Sequence, residues 1–231
     1  MADWCRGMGI PEDKITVVSN ATGYPLTEEE ITTIIDRKQQ RRKQKPDKLR
    51  VLFLGRFDRQ KGLDRLLEII ERSRQLSLPL EWKLVGKSIL EENDCQTNLA
   101  SIDDLIHPPA LSTDEINRLY EWSDILLLPS YWEGLPLTII EAMRLATVVI
   151  ASDVGGITEA VRHPEVGLII PNTNKQQFVD CTLDWLQFLI QDREKLNRIS
   201  IAAAAKASQI SWSKASRKFI DRLKILLQDP L

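Results

Sequence analysis

Arg56 and Lys61 lie five residues apart, across a turn that joins an apolar run to a helical pattern. An arginine fork and a lysine point charge beside a helix N-terminus make a clamp for a diphosphate, because both add to the helix dipole and its free amides. An ordinary pair of surface cations has the same spacing. Glu133 and Glu141 form the second pair, separated by seven residues. Gly134 lets the backbone come close to a ligand. Leu135-Pro136-Leu137-Thr138 then opens a helix with proline in its first turn. Glu141 falls within that helix, and helical side chains lean toward the N-terminus, so both carboxylates can face one pocket. Carboxylates accept from sugar hydroxyls, and first-turn amides suit an anion. The alternative is one capping and one surface glutamate. Gly155-Gly156, after Asp153, admits a loop close to a ligand or phosphate, or makes a plain tight turn.

Other chemistries find less support. His107 and His163 are the only histidines; neither has a partner at ligand or triad spacing, and both read as structural or exposed. Glu159 reads as a helix-surface residue. The chain has no G-x-G-x-x-G, Walker loop or G-x-S-x-G, which counts against dinucleotide oxidoreductases, P-loop enzymes and serine hydrolases. Cys5, Cys95 and Cys181 form no C-x-x-C, so neither a disulfide framework nor a zinc site is indicated. The balance of 31 Lys plus Arg against 33 Asp plus Glu argues against a dedicated nucleic-acid binder. No apolar run approaches the roughly 18 residues of a membrane span, and Met1 to Arg6 lacks the apolar core of a signal peptide. A cytoplasmic globular chain is the expectation, and 43% hydrophobic residues suffice for a core.

These residues need a scaffold. Residues 1–48 differ from the rest and read as a linker segment, which the resemblance given below makes an interdomain linker strand and helix remnant. Ile15 to Ser19 is a short strand, and Thr27-Glu28-Glu29-Glu30 is a capping box. The helix it opens runs into Arg41-Arg42-Lys43-Gln44-Lys45 and stops before Pro46. That basic run reads either as the solvated face of a linker helix or as weak attraction to an anionic membrane surface. Residues 49–231 alternate strand and helix. Strands are expected at Val51–Leu54, Leu80–Val85, Asp104–Ile106, Ile125–Leu128, Val148–Ile150 and Leu168–Ile170. Helices follow Leu63, Ser112, Leu137 and Ile157, and three more close the chain at about 174–190, 192–208 and 212–228. Apolar strands separated by helices mark a parallel sheet covered on both faces. The expected fold is therefore α/β, a doubly wound Rossmann-like sheet of about six strands, with ligands outside the carboxyl ends of the strands. Trp185 and Trp212 lie on apolar helix faces and read as core.

Taken in order, the motifs resemble a known family. Gly55-Arg56-Phe57 with Lys61-Gly62-Leu63, Leu119-Tyr120 with Asp124, and Leu128-Pro129-Ser130 come first. The Glu-x7-Glu element from Glu133 to Met143 follows, then Ala151 to Ile157, Gly167 to Pro171 and Ser211-Trp212. Together they resemble the C-terminal, donor-binding domain of family 4 retaining glycosyltransferases of the GT-B fold. Ile10 to Asn20 is similar to that family's interdomain linker. The resemblance implies that Arg56 and Lys61 hold the donor diphosphate, that Glu133 is the catalytic-site carboxylate beside the transferred sugar, and that Glu141 meets the ribose. It implies that amides from Gly134 through Leu135, Pro136 and Leu137 to Thr138, with Gly155 and Gly156, line the donor. The implied ligand is a nucleotide-diphosphate sugar, with no bound metal and no further cofactor. An N-terminal acceptor domain, in cis or in trans, is the implied partner. A non-catalytic nucleotide-sugar binding or interaction module is the alternative reading, and a related epimerase or phosphorylase a more distant one.

The sequence departs from the pattern at Gly86-Lys87-Ser88, His107-Pro108-Pro109, Asn20 to Gly23 and Arg144 to Thr147, where the family carries Gly-x-Gly, Phe-x-Gly, an Asn-Gly-Val-Asp linker and a glycine turn. The resemblance implies that the last helix often returns to the N-terminal domain; without that domain the Trp212 to Leu226 face is expected to be partly exposed, or else packed on residues 1–48.

Overall fold

The computed structural model describes residues 2–18, 20–22, 26–44, 48–87, 99–109, 112–161 and 164–228. Its centre is a six-stranded, all-parallel sheet: β1 (Leu49–Leu54), β2 (Leu80–Val85), β3 (Ile106–His107), β4 (Ile125–Leu128), β5 (Val148–Ser152) and β6 (Leu168–Ile170). The spatial order is β3-β2-β1-β4-β5-β6. This is the doubly wound Rossmann order, which reverses between β1 and β4 and opens a crevice there. β1 pairs over its whole length with β2, whereas only Val51 and Leu52 pair with Ile125 and Leu126 of β4.

Successive strand residues serve opposite layers, because side chains alternate across a strand. Val51, Phe53, Ile125, Leu127 and Ile150 pack on one face with α3 (Leu63–Gln75) and α7 (Lys175–Gln191). Leu52, Leu126, Leu128, Val149 and Ala151 pack on the other with α4 (Thr113–Trp122), α5 (Leu137–Arg144), the short α6 (Ile157–Ala160) and the C-terminal half of α8 (Arg193–Ser208). α1 (Ala2–Gly7) and α9 (Trp212–Gln228) lie outside these layers, whereas α2 (Glu28–Gln44) packs on α8 and sends Ile34 into the second layer.

Both expected capping boxes form. Ser112 Oγ accepts from the Glu115 amide while Glu115 reaches back to the Ser112 amide at 3.0 Å. Thr27 and Glu30 repeat the arrangement, although the first helical residue of α2 is Glu28. The end of α5 is a Schellman turn, with the Thr147 amide on the Ala142 carbonyl and the Ala146 amide on that of Met143. Ala146 takes φ 52, the left-handed conformation that glycine normally supplies at this place. The departure from the family's glycine turn is thus a strained alanine.

Four expectations need correction. Ile15 to Val18 is not a strand, because no sheet edge pairs with it; Thr22 instead makes an isolated bridge to Ser211. Ser19 lies outside the described residues. The third strand is Ile106–His107, since Asp104 belongs to a 3-10 turn spanning Leu99–Leu105. Trp212 is not core: it is 45% exposed, because α9 stands at the periphery. The basic run of α2 is not a solvated face. Arg42 and Arg41 turn inward onto Asp124 at 2.8 and 2.5 Å, and Ile34 enters the core.

Lys38, one turn earlier, donates to the carbonyls of Tyr120 and Ser123, both at 2.8 Å, and to Thr147 Oγ1 at 2.6 Å. Burial pushes its ammonium well below the ordinary lysine range, and Arg42 adds to that. The three acceptors oppose the shift by favouring the charged form. Burial works against the charge of Asp124 too, but Arg42 and Arg41 outweigh it and hold the carboxyl below its ordinary value.

Candidate functional site

The chemistry-bearing residues converge at the carboxyl ends of β1, β4 and β5. Gly62 caps α3 with φ 70, and a Cβ there would lie 2.0 Å from the Pro129 carbonyl oxygen. Only glycine allows the turn after β1 to press against the loop after β4. That contact brings Lys61 onto Glu133, with Nζ to Oε1 at 2.6 Å. Ser130 Oγ donates to the same oxygen at 2.8 Å. The Glu133 side chain is 6% exposed and that of Lys61 19%, so the pair sits at the floor of the crevice. Asp58 accepts from the Lys61 amide at 2.9 Å and fixes the turn.

Arg56 stands on the rim. Its Nε pairs with Asp58 at 3.0 Å, and its Nη2 donates to Gln60 Oε1 at 2.6 Å. Half of its side chain is in solvent, so reaching an anion means exchanging these partners. Gln60 also donates to the Trp132 carbonyl at 3.3 Å, and the Gln60 carbonyl accepts from the Tyr131 amide at 2.9 Å. These hydrogen bonds tie the two loops together.

Gly155 takes φ 58, and a Cβ there would meet the Glu133 carbonyl oxygen at 1.8 Å. The amide of Gly156 donates to the Gly134 carbonyl at 2.7 Å. The double glycine thus brings the loop after β5 against the loop that carries Glu133, and both line a cleft of about 410 Å³. Val17, Asn20 and Glu159 form other parts of its wall. Asn20 Nδ2 donates to the Leu135 carbonyl at 3.0 Å, so the unpaired segment before α2 covers this side. Pro136 precedes α5 without any side-chain cap. The first-turn amides of Leu137 and Thr138 are left for water or an anion.

Glu141 is held apart from the Lys61–Glu133 pair. Its Oε2 accepts from the Tyr120 hydroxyl at 3.0 Å. Burial, reinforced by the Glu141 charge, pushes that phenol well above its ordinary value, so it remains a donor. Tyr120 occurs within the Leu119-Tyr120 element, but its type alone assigns it no partner. Arg65 is a second residue that motif reading passes over. It is buried between the rings of Tyr131 and Phe178, at 3.8 and 4.6 Å. It donates to the Pro129 carbonyl at 3.2 Å and to Asn172 Oδ1 at 2.7 Å. One cation thereby braces the loops after β4 and β6 under the site. The available signal was an arginine four residues before buried Ile69, on the apolar side of α3.

His107 ends β3, and burial followed by the Lys83 charge lowers its imidazole, in keeping with a structural role. His163 and Ser88 lie outside the described residues. Among the described residues no three His, Cys, Asp or Glu side chains gather to hold a metal. Nor is any helix among them long and apolar enough to cross a membrane.

Residues 35–206 match the family model of glycosyl transferases group 1. The chain belongs to that family. A curated relative, the D-inositol 3-phosphate glycosyltransferase of Rhodococcus erythropolis, is 32% identical over 187 residues, covering 72% of this chain and 39% of its own. The chain spans about two fifths of the length of such relatives. Among solved structures it is similar to the C-terminal domain of a group 1 glycosyl transferase from Francisella tularensis (LpcC), with 24% identity, TM-score 0.60 and coverage of 75% of this chain and 91% of that one. It is also similar to Anabaena HepE in complex with UDP-glucose, with 21% identity, TM-score 0.68 and coverage of 91% and 57%. These two likenesses show the fold, a Rossmann-like α/β sheet of the kind found in GT-B proteins.

Proposed function

We propose that this domain binds a nucleotide-diphosphate sugar and serves as the donor half of a retaining glycosyltransferase. The observation that carries the proposal is the Lys61–Glu133 pair at the floor of the crevice, beside the uncapped start of α5. In this reading Lys61 and Arg56 take the diphosphate, and the Leu137 and Thr138 amides take the charge that develops as the sugar leaves. Glu133 lies beside the sugar, Glu141 accepts from the ribose, and Gly155 and Gly156 let the wall come close. The cations and amides supply the stabilisation of the departing diphosphate without a metal. Anabaena HepE, similar in fold, forms a complex with UDP-glucose, which makes a uridine nucleotide the first ligand to try. We propose further that transfer requires an acceptor-binding domain, in cis or in trans, because this chain supplies one wall of a two-walled site.

Calorimetric titration of the 231-residue chain with UDP, UDP-glucose and GDP tests the reading. Saturable binding of one nucleotide, weakened at least tenfold by Lys61→Ala, supports it; loss of a charge-assisted hydrogen bond is worth that much. No binding of any nucleotide, or binding indifferent to both Lys61→Ala and Arg56→Ala, overturns it. Robust sugar transfer to a defined acceptor by this chain alone would refute the need for a second domain.

A further inference from the structure

Arg65 puts a full charge where an apolar side chain would cost less. It stands in the first turn of α3, 1% exposed, and its neighbours along the helix face, Leu66 and Ile69, are core residues. Its guanidinium lies between the rings of Tyr131 and Phe178. Its polar partners are all neutral: the Pro129 carbonyl, Asn172 Oδ1 and, at 3.5 Å, Ser152 Oγ. Among the described residues Nε has no hydrogen-bond partner, and no carboxylate pairs with the guanidinium. The adjacent Asp64 is engaged elsewhere, accepting from the Tyr131 hydroxyl at 2.8 Å and lying 3.9 Å from Lys175. Arg42, also buried, has Asp124.

A buried charge without a counter-ion is a poor device for stability, because its desolvation is not repaid by a partner. Its place in the fold offers another use. Ser152 ends β5, and Pro129 and Asn172 follow β4 and β6, so the guanidinium ties together three strand ends that face the crevice. Pro129 and Tyr131 belong to the loop that carries Ser130 and Glu133. The Pro129 carbonyl that Arg65 holds is also the one against which Gly62 presses. Lys61, the residue before Gly62, pairs with Glu133 across that contact.

We propose that Arg65 is a positioning residue of the donor site. Its fork holds the Pro129–Glu133 loop in the geometry that sets Glu133 against Lys61. Its uncompensated charge, little screened in the interior, favours a diphosphate in the crevice above. Because it is buried it does not touch the ligand; it acts through the Pro129 carbonyl and through its field. A lysine would supply the charge but not the planar fork that spans Pro129 and Asn172 together. The assignment rests on the reading of the crevice as a nucleotide-diphosphate site.

Hydrogen exchange and calorimetry of the 231-residue chain test it. Arg65→Met should speed amide exchange in residues 130–135 at least tenfold, while the amides of β2 keep their protection. It should weaken the bound diphosphate, UDP or GDP, at least tenfold and the matching monophosphate no more than about threefold, since the field acts on the added phosphate charge. A merely structural loss would lower both alike. Arg65→Lys should fall between Arg65→Met and wild type in both readouts, and decides the matter if Arg65→Met does not fold. Wild-type diphosphate affinity in either variant, equal losses for diphosphate and monophosphate, or unchanged exchange in residues 130–135 would overturn the assignment and leave the crevice a nucleotide site. Failure of the wild-type chain to bind any of these nucleotides would overturn the donor reading itself, and the assignment with it.

Discussion

The two ends of the sheet carry the same kinds of charge and use them differently. At the amino ends of β4 and β5, Asp124 meets Arg41 and Arg42, and Lys38 fills three acceptors. The side chains of Asp124 and Arg42 are 2% and 3% exposed, and Asp124 also takes the Arg50 amide at 3.1 Å. At the carboxyl ends, Lys61 and Glu133 are paired at the floor of the crevice, Arg56 is half in water, and the start of α5 is uncapped. The first cluster is closed and joins α2 to the sheet. The second retains capacity to exchange partners. Carboxylate and cation types alone do not separate these roles; exposure does, since the Arg42 side chain is 3% exposed and that of Arg56 49%.

Removing Asp124 should do the most damage. Asp124→Ala leaves Arg41 and Arg42 without their buried counter-charge and should cost about 3–5 kcal/mol of stability, read from urea denaturation. A cost below about 1 kcal/mol would mean that the closed cluster is not a structural joint.

Next in size is Lys61→Ala, which should lower nucleotide affinity at least tenfold while costing less stability than Asp124→Ala. Tyr120→Phe removes the hydrogen bond to Glu141 and should cost about 1 kcal/mol by denaturation. In the proposed reading it also weakens nucleotide binding a few-fold.

Acid separates the two ends further. The folded-state pKa of Asp124 is lowered, so its contribution is complete above the ordinary carboxylate range and is lost as pH falls through the lower folded value. Stability should fall in that acid window, and Asp124→Asn should flatten the decline in a urea-midpoint profile against pH. The smallest change should be a gain: Ala146→Gly relieves a left-handed alanine and should raise stability by up to about 1 kcal/mol, visible in thermal melting.

Local chemistry made much of the fold legible. Apolar runs placed the strands, and Ser112 and Thr27 announced their helices through Glu115 and Glu30. The Glu-x7-Glu element correctly put Glu141 inside a helix. What stayed hidden depends on long-range contacts. Arg42 and Asp124 are 82 residues apart, so the basic run of α2 looked like a solvated face. Lys61 and Glu133 are 72 apart, and each was paired in sequence with a nearer residue of its own kind. Ile15 to Val18 has strand composition, but a strand also requires a partner with an open edge. Trp212 has the spacing of a core residue, yet burial depends on what stands opposite.

The proposed reading divides labour between a structural end and a ligand end of the sheet, and nucleotide affinity in paired variants tests that division directly. UDP should bind Lys61→Ala at least tenfold more weakly than wild type, and should bind Asp124→Asn as wild type does under conditions where both variants are folded. Equal affinity for all three proteins, or a greater loss in Asp124→Asn than in Lys61→Ala, would contradict it.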